Sequence, residues 1–527
     1  MIILGIHTGH NGAACLVKDG KLVAALASER LSRQQKSHGI SEEVLDYVFE
    51  SAGVTMADVD CVALSDWNPA HANGVLTVQN NQGPVACRWN TIYDDVVEEY
   101  RVTIRGRELP VYLIGHQKCH CAAAYYTSNL DRSWCFSLDA SGAKLKNNSL
   151  IALGEGNKLT AVECPNLMIG VGYGYFTEWL GIGAQMHKAG STMGLAAYGK
   201  VLDRVLNNES YVNRAFIDQD NGHHPWMGEL WQDLSDASNH FSEDRKDSEK
   251  ARDIAATMQY LLEKCVLKAM TKIPSQPGDS VCLGGGTMLN CGANSAILNS
   301  GQFSKVHLFP ACTDDGGAVG CALYVAHHIH NEPRYIYTDA EICYLGKSRT
   351  DEPCDLEAIA REIADGKVVG WCHGRSEYGP RALGNRSILA DPRRSDYRDK
   401  INGIKRREWF RPFAPVVLEE YLHDWFDFPA DKSPFMLFTA KVKQPEKIPA
   451  VLHVDGTARM QTINRETNPR YYDLVNEFYK ITGVPILLNT SMNESGVPMV
   501  EREGDIESFW RNVPVDLMVV DGKVWRR

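Results

Sequence analysis

The chain has 527 residues, 44% hydrophobic and 23% charged, with a formal net charge of −11. Its length exceeds one ordinary core and predicts roughly 3 to 4 units of ~150 residues, in a composition typical of soluble globular proteins. Net negative charge is unsuited to broad nucleic-acid binding, no apolar run approaches the ~20 residues of a membrane span, and 15 cysteines without a Cys-x-x-Cys pair suit cytoplasmic thiols better than a disulfide framework.

The apolar start reads as a buried strand and not as a signal peptide, because no basic region precedes it. Residues 2–28 predict strand 2–6, a polar glycine loop 7–12, strand 13–17, an Asp19-Gly20 turn and strand 22–27. Asp-Gly between alternating apolar residues is a hairpin signal. His10 lies in that loop, where an imidazole serves either as a general base or as a backbone ligand. Residues 41–51 predict a helix with Val44, Leu45, Val48 and Phe49 on one face and Gly53 past its end.

His116 and His120 follow a strand at 111–114. Four residues apart, they share one helix face, suited to one metal ion, although core packing explains such a pair as well. Residues 134–162 repeat the opening layout, with Asp139 in the loop after the first strand. Tyr173, Tyr175, Phe176 and Trp179 form either an acceptor wall or core. Gly194, in Met193-Gly194-Leu195, marks close packing or a small-residue floor. Residues 200–252 are polar and read as a peripheral insertion or a substrate-facing loop, and residues 253–272 as a helix.

Gly284-Gly285-Gly286 follows a strand and leads through Asn290 into a helix. Such a turn lets a nucleotide approach the backbone and offers amide donors, and a plain tight turn fits equally. Asp314, in Thr313-Asp314-Asp315-Gly316-Gly317, adds a second carboxylate to His116, His120 and Asp139. A two-His, two-Asp set suits iron, manganese or zinc. Cys119 and Cys121 read as ordinary thiols. Two strand–loop–hairpin units predict a duplicated α/β fold with a nucleotide cleft between its halves.

The periodicity breaks at 330–352, where a domain boundary is expected. Beyond strand 368–371, residues 374–415 hold 11 bases against 5 acids, a local balance of +6. Arginines beside turn formers, as in Gly379-Pro380-Arg381 and Phe410-Arg411-Pro412, are forks held in fixed positions, suited to phosphates. A nucleic-acid groove competes, but few aromatics beyond Tyr378, Tyr397 and Trp409 accompany the run. Lys405 and Arg411 with Asn489, Thr490, Ser491 and Asn493 bring together cations, amides and hydroxyls for an acyl phosphate and a triphosphate.

The stretch from Gly374-Arg375-Ser376-Glu377-Tyr378-Gly379-Pro380-Arg381 to Asp391-Pro392 resembles the NodU/CmcH family of O-carbamoyltransferases. So do Phe410-Arg411-Pro412-Phe413-Ala414-Pro415, Asp455-Gly456-Thr457-Ala458-Arg459 and Leu488-Asn489-Thr490-Ser491-Met492-Asn493. The family modifies nodulation factors, cephalosporins, aminoglycosides and other natural products. The resemblance implies an ASKHA-fold (actin/hexokinase-like) duplicated domain at 1–335, similar to the tRNA threonylcarbamoyl transferase. It also implies a YrdC-like α/β domain with a twisted mixed sheet at 350–527. The C-terminal domain would make carbamoyl adenylate from carbamoyl phosphate and ATP, with magnesium, using Lys405, Arg411, Ser491 and Asn493. Arg381, Arg459, Gly194, Gly284, Gly285, Gly286 and Asn290 would bind nucleotide.

His116, His120, Asp139 and Asp314 would then hold the metal, commonly iron, and His10 would deprotonate the hydroxyl of a small-molecule acceptor. No nucleic-acid or membrane partner is implied, and a homodimer is compatible. The stretch 186–193 departs from the family's charged approach to Met-Gly-Leu, leaving roles for His187 and Lys188 open. Two other readings stand beside this one: carbamoylation of a macromolecule such as tRNA or a maturation protein, and a non-catalytic nucleotide-binding regulator. The regulator leaves the basic run unexplained.

Overall fold

The computed structural model describes every residue except 68, 81–82, 85–99, 140–147, 184–187, 217–229, 231–233, 235–244 and 351. About half of the polar insertion, His187 and the loop just beyond Asp139 therefore lie outside the described residues. The architecture is mixed α/β, with three larger sheets and one small ribbon.

The first sheet contains β1 (Ile2–His7), β2 (Ala13–Lys18), β3 (Lys21–Ala27), β4 (Cys61–Asp66), β5 (Leu76–Asn80), β6 (Gly83–Pro84), β7 (Arg101–Ile104) and β8 (Arg107–Leu113). Their order is β3-β2-β1-β4-β8-β7-β5-β6. The second holds β9 (Arg132–Leu138), β10 (Ser149–Glu155), β11 (Lys158–Glu163), β12 (Ser280–Gly284) and β13 (Lys305–Leu308), in the order β11-β10-β9-β12-β13. In both sheets the first strand starts an antiparallel meander on one side. On its other side it is followed by two parallel strands. The second sheet thus shares its strand order and directions with the five strands β3-β2-β1-β4-β8 of the first, which β7, β5 and β6 extend.

Strands β1 and β2 read as continuous apolar runs because helices cover both faces. Helix Glu42–Ala52 buries Val44, Leu45, Val48 and Phe49 on one side. Helix Asp315–Tyr324 is buried throughout and packs on β1, β2 and β4 from the other side. It meets helix His116–Tyr126, which packs on β9, β10 and β12, so two helices fill the space between the sheets. Small side chains allow this approach: a Cβ on Gly320 would sit 1.9 Å from the Cys119 carbonyl oxygen.

The third sheet contains β14 (Val369–Cys372), β15 (Arg386–Ala390) and β16 (Ala414–Leu418). A ribbon of β17 (Phe426–Asp427), β18 (Ala440–Val442) and β19 (Thr457–Ala458) intervenes before β20 (Gln461–Ile463), β21 (Ile486–Ser491), β22 (Leu517–Val520) and β23 (Lys523–Arg526). The sheet order is β20-β16-β21-β15-β14-β22-β23, with parallel and antiparallel neighbours.

The stretch expected to be a boundary is tied back onto the first sheet. The Leu22 amide donates to the Tyr337 hydroxyl at 2.8 Å, and Lys21 pairs with Glu341 at 2.6 Å. Further on, the chain's two ends are sewn together by arginines. Arg30 donates to the carbonyls of Glu377 and Gly379 at 3.0 and 2.8 Å, and Arg33 to those of Met499 and Pro498 at 2.7 and 2.8 Å. Among the described residues no disulfide forms and no helix is long and apolar enough to cross a membrane.

Candidate metal and phosphate centre

The start of helix His116–Tyr126 lies beside the end of β9 and the start of helix Asp315–Tyr324. One helical turn puts His116 and His120 on the same face, and the two carboxylates arrive from the strand end and the helix start. The candidate ligand atoms of His116, His120, Asp139 and Asp314 all lie within 4.8 Å of one another. The Nε2 atoms of the two histidines are 3.2 Å apart, and Asp139 Oδ2 is 3.2 and 3.1 Å from them. Asp314 Oδ1 is 3.4 and 3.5 Å from the same nitrogens. An ion with bonds of about 2.1 Å sets tetrahedral ligands about 3.4 Å apart, so the spacing fits a first-row divalent metal.

Electrostatics agree with that donor set. Burial disfavours charge on His116, yet the Asp314 and Asp139 carboxylates outweigh it and hold its pKa well above the usual imidazole value. Two buried carboxylates thus favour positive charge on the two imidazoles, the same electrostatics that a divalent cation would satisfy.

Behind the turn, Gly286 N donates to Asp139 Oδ1 at 3.2 Å. Gly285 adopts φ +90, and a Cβ there would stand 2.3 Å from the Leu138 carbonyl oxygen. Gly285→Ala is therefore expected to destabilise the fold by about 2 kcal/mol or more and to displace Asp139. A lowered thermal midpoint together with reduced metal content checks this.

His10 stands beside the cluster. Its Nε2 is 3.2 Å from Asp314 Oδ2, and its Nδ1 is 3.1 Å from Asn11 Oδ1. His7 fixes the loop. Its Nε2 lies 3.0 Å from the His10 carbonyl, which can only accept, so that nitrogen carries the hydrogen. His7 Nδ1 then accepts from the Ser65 hydroxyl at 2.7 Å.

The second cluster forms where the residues before β16 meet the end of β21. Lys405 is buried, and its Nζ donates to the carbonyls of Ser491 and Asn493 at 2.6 and 2.8 Å and to Asn493 Oδ1. The Ser491 hydroxyl donates to Asn493 Oδ1 at 2.6 Å. Burial, reinforced by Arg407 and Arg411, drives the Lys405 pKa well below the usual lysine value. Burial and Arg459 lower Arg381 to about 10, and its Nε has no hydrogen-bond partner among the described residues. Arg411 pairs with Glu408 at 3.4 Å, the one ion pair it makes among the described residues.

Other bases of the run have structural work. Arg386 is buried with its Nη1 on the His373 carbonyl at 2.8 Å, Arg375 holds the carbonyls of Val23, Leu345 and Gly346, and Arg393 pairs with Asp391 at 2.7 Å.

Both clusters face one cavity of about 1270 Å³. His10, Asp139 and Asp314 line it from one side, and Arg381, Lys405, Arg411, Arg459, Ser491 and Asn493 from the other. His116 and His120 are buried and do not line it, whereas the carboxylates Asp139 and Asp314 do.

Residues 2–323 match the family described as Carbamoyltransferase N-terminus, and residues 360–527 match Carbamoyltransferase C-terminus. The chain belongs to the carbamoyltransferase family. It is 32% identical to nodulation protein NolNO of Sinorhizobium fredii, over 97% of this chain and 78% of that protein. It is 30% identical to the 3'-hydroxymethylcephem-O-carbamoyltransferase of Streptomyces clavuligerus, over 100% of this chain and 99% of that one. Among solved structures, the activator of the 2-hydroxyisocaproyl-CoA dehydratase from Clostridium difficile covers 64% of this chain and 100% of its own at 13% identity, with a TM-score of 0.33, too loose to argue from.

A carbamoyltransferase is an enzyme, which ends the regulator reading. Within this carbamoyltransferase, the four expected metal ligands cluster together, and two of them, Asp139 and Asp314, line the cavity with His10, Gly194, Gly286, Asn290 and the expected C-terminal residues. Gly284 and Gly285 do not line it; they pack against the backbones of His120 and Leu138. The Asn290 side chain caps helix Cys291–Asn299 and pairs with Gln259, so its amide is already engaged. Of the aromatic run, Tyr173 lines the cavity, Phe176 and Trp179 are core, and Tyr175 is exposed.

Sequence reasoning missed Lys36 and Arg407, both on the cavity wall. Burial lowers the Lys36 pKa, against the pull of Asp314 and Asp139. Nothing in its loop announces that setting, whereas Arg407 stood within the basic run. The insertion also reaches the cavity, because Trp409 donates to Asp247 at 3.1 Å and both line it.

Proposed function

We propose that the chain is an ATP- and carbamoyl-phosphate-dependent O-carbamoyltransferase that modifies a hydroxyl of a small-molecule natural product. In this reading residues 350–527 act as a YrdC-like unit that makes carbamoyl adenylate. Residues 1–335 act as a duplicated ASKHA unit, whose halves are built on the five strands common to the two sheets, and deliver the carbamoyl group. The observation that carries the reading is the common cavity, with an anion-binding wall opposite a His10–metal-ligand wall. Carbamoyl adenylate is labile to water, so making and using it in one enclosure limits its loss.

Water attacks the carbamoyl carbon of carbamoyl phosphate, and phosphate leaves. A carbamate oxygen attacks the α-phosphorus of ATP, and pyrophosphate leaves. The acceptor hydroxyl gives its proton to His10 and attacks the carbamoyl carbon, and AMP leaves. Lys405, Arg381, Arg411 and Arg459 would hold the phosphates, with Ser491 and Asn493 orienting Lys405. Iron, manganese or zinc on His116, His120, Asp139 and Asp314 would supply a Lewis acid for the adenylate phosphate, with magnesium accompanying ATP. The enclosed cavity and the acidic chain favour a small acceptor over tRNA, and a cytoplasmic location suits the cysteines.

The test supplies ATP, magnesium and carbamoyl phosphate, and screens hydroxylated metabolites for the mass of one added carbamoyl group. Pyrophosphate release and a carbamoylated product are expected. His10→Ala should retain pyrophosphate release and lose transfer by about 10²- to 10⁴-fold. Absence of pyrophosphate release by the metal-loaded protein refutes the reading.

A further inference from the structure

We propose that His453, oriented by Asp455, is a catalytic base of the activation chemistry, taking the proton of the water that converts carbamoyl phosphate to carbamate. The proposal rests on the carbamoyl-adenylate reading above. If the phosphate-bearing oxygen of carbamoyl phosphate attacked ATP directly, the phosphate would stay attached. Carbamate must therefore be released first, and that step needs a proton acceptor on the anion-binding side of the cavity.

That side is crowded with groups unable to do this. Arg381, Arg406, Arg407, Arg411 and Arg459 are cations, and Lys405 already holds three acceptors of Ser491 and Asn493. Of the carboxylates, Glu408 faces Arg411 at 3.4 Å, Glu494 Oε1 accepts from Ser508 and Asn512, Asp247 accepts from Trp409, and Asp455 accepts from Thr457. His453 remains. It lines the cavity, and its Nε2 is enclosed with no hydrogen-bond partner among the described residues. A buried ring nitrogen left without a partner marks a position for a water or a ligand atom.

The surroundings arrange the ring as a base. The His453 amide donates to the Thr457 carbonyl at 2.9 Å, and the Gly456 amide to the His453 carbonyl at 3.0 Å, closing a tight turn. Asp455 Oδ1 accepts from the Thr457 amide at 2.9 Å and its hydroxyl at 2.7 Å, and lies 3.6 Å from His453 Nδ1. A carboxylate facing Nδ1 favours the hydrogen there and leaves the lone pair on Nε2. Burial opposes the Asp455 charge, yet His453 and Thr457 hold its pKa down to about 2, so it stays a carboxylate. Tyr198 packs edge-on against the ring, with centroids 5.8 Å apart, and screens it from bulk water. Arg459 leaves the same turn toward Arg381, Arg407 and Arg411, whose charges it opposes. The base thus sits on the element that contributes a phosphate ligand.

In the proposed step the water oxygen bonds to the carbamoyl carbon, its proton passes to His453 Nε2, and the carbon–oxygen bond to phosphate breaks. Phosphate leaves with the electron pair, and carbamate remains beside the arginines.

The experiment compares two carbamoyl sources in the metal-loaded protein with ATP and magnesium: carbamoyl phosphate, and ammonium carbamate, which bypasses the hydrolysis. His453→Gln should lose pyrophosphate release by at least about 10²-fold with carbamoyl phosphate and keep it within about 2-fold with carbamate, by the same principle. Asp455→Asn should show the same bias, more weakly. Equal losses with both donors, or no loss with either, overturn the proposal. Arg411→Ala should fail with both, and a wild type silent with both refutes the carbamoyl-adenylate reading itself. A folding defect lowers both rates together and leaves their ratio unchanged.

Discussion

His116→Ala or Asp314→Asn is expected to empty the metal site and abolish carbamoyl transfer while pyrophosphate release from ATP and carbamoyl phosphate continues. The four donors sit 3.1 to 3.5 Å apart where distances are resolved, so each forms one corner of a small enclosure. Losing one leaves three buried donors with mismatched charge. Lewis-acid stabilisation of a leaving phosphate is worth several kcal/mol, or about 10³-fold or more in rate at 1.36 kcal/mol per decade. Elemental analysis for bound metal and separate assays of pyrophosphate and carbamoylated product check the outcome. Parallel loss of both half-reactions would mean that the two walls of the cavity do not divide the work.

Arg411→Ala should have the opposite profile, with pyrophosphate release reduced about 10²- to 10³-fold and metal content unchanged. Its effect on stability is expected to be small or favourable. Burial, Arg407 and Arg411 together depress the Lys405 pKa, so the ligand-free fold carries unneutralised repulsion that removing Arg411 relieves. The folded protein binds fewer protons at Lys405 than the unfolded chain does, whose lysine pKa is about 10.4. Stability contributed by this group therefore rises as pH climbs toward that value and is penalised below it. An anion removes the penalty. Pyrophosphate at 100 times its dissociation constant should stabilise wild type by about 2.7 kcal/mol and Arg411→Ala far less. Thermal melts with and without pyrophosphate measure the difference, and equal stabilisation of both proteins would remove Arg411 from the phosphate site.

Some features depend only on near neighbours and were legible in the chain. The Asp19-Gly20 hairpin, the helix over Val44 to Phe49 and the His116/His120 pairing follow from turn chemistry and from periods of two and 3.6 residues. The expected strands at 2–6, 13–17 and 22–27 differ from β1, β2 and β3 by about a residue at their ends, the usual uncertainty of a boundary. The density of arginines at 374–415 also raised the expectation of an anion site. It did not say which arginines serve it, because Arg375, Arg386 and Arg393 were drawn off by carbonyls and a carboxylate that only the folded chain brings near.

The amino-acid order by itself determined the family, the local elements and the chemical types available: two imidazoles, two carboxylates, a lysine with a Ser-x-Asn partner. Tertiary structure decided their arrangement. It packed Gly284 and Gly285 against the backbones of His120 and Leu138, closely enough to leave no room for a Cβ at either. It turned a linker into a strap held by Tyr337 and Glu341. It also brought the carboxylates Asp139 and Asp314 and the arginines Arg381, Arg411 and Arg459 to the wall of a single cavity. Those outcomes rest on contacts between residues hundreds of positions apart, whose geometry depends on how sheets and helices stack and is not written in any local pattern.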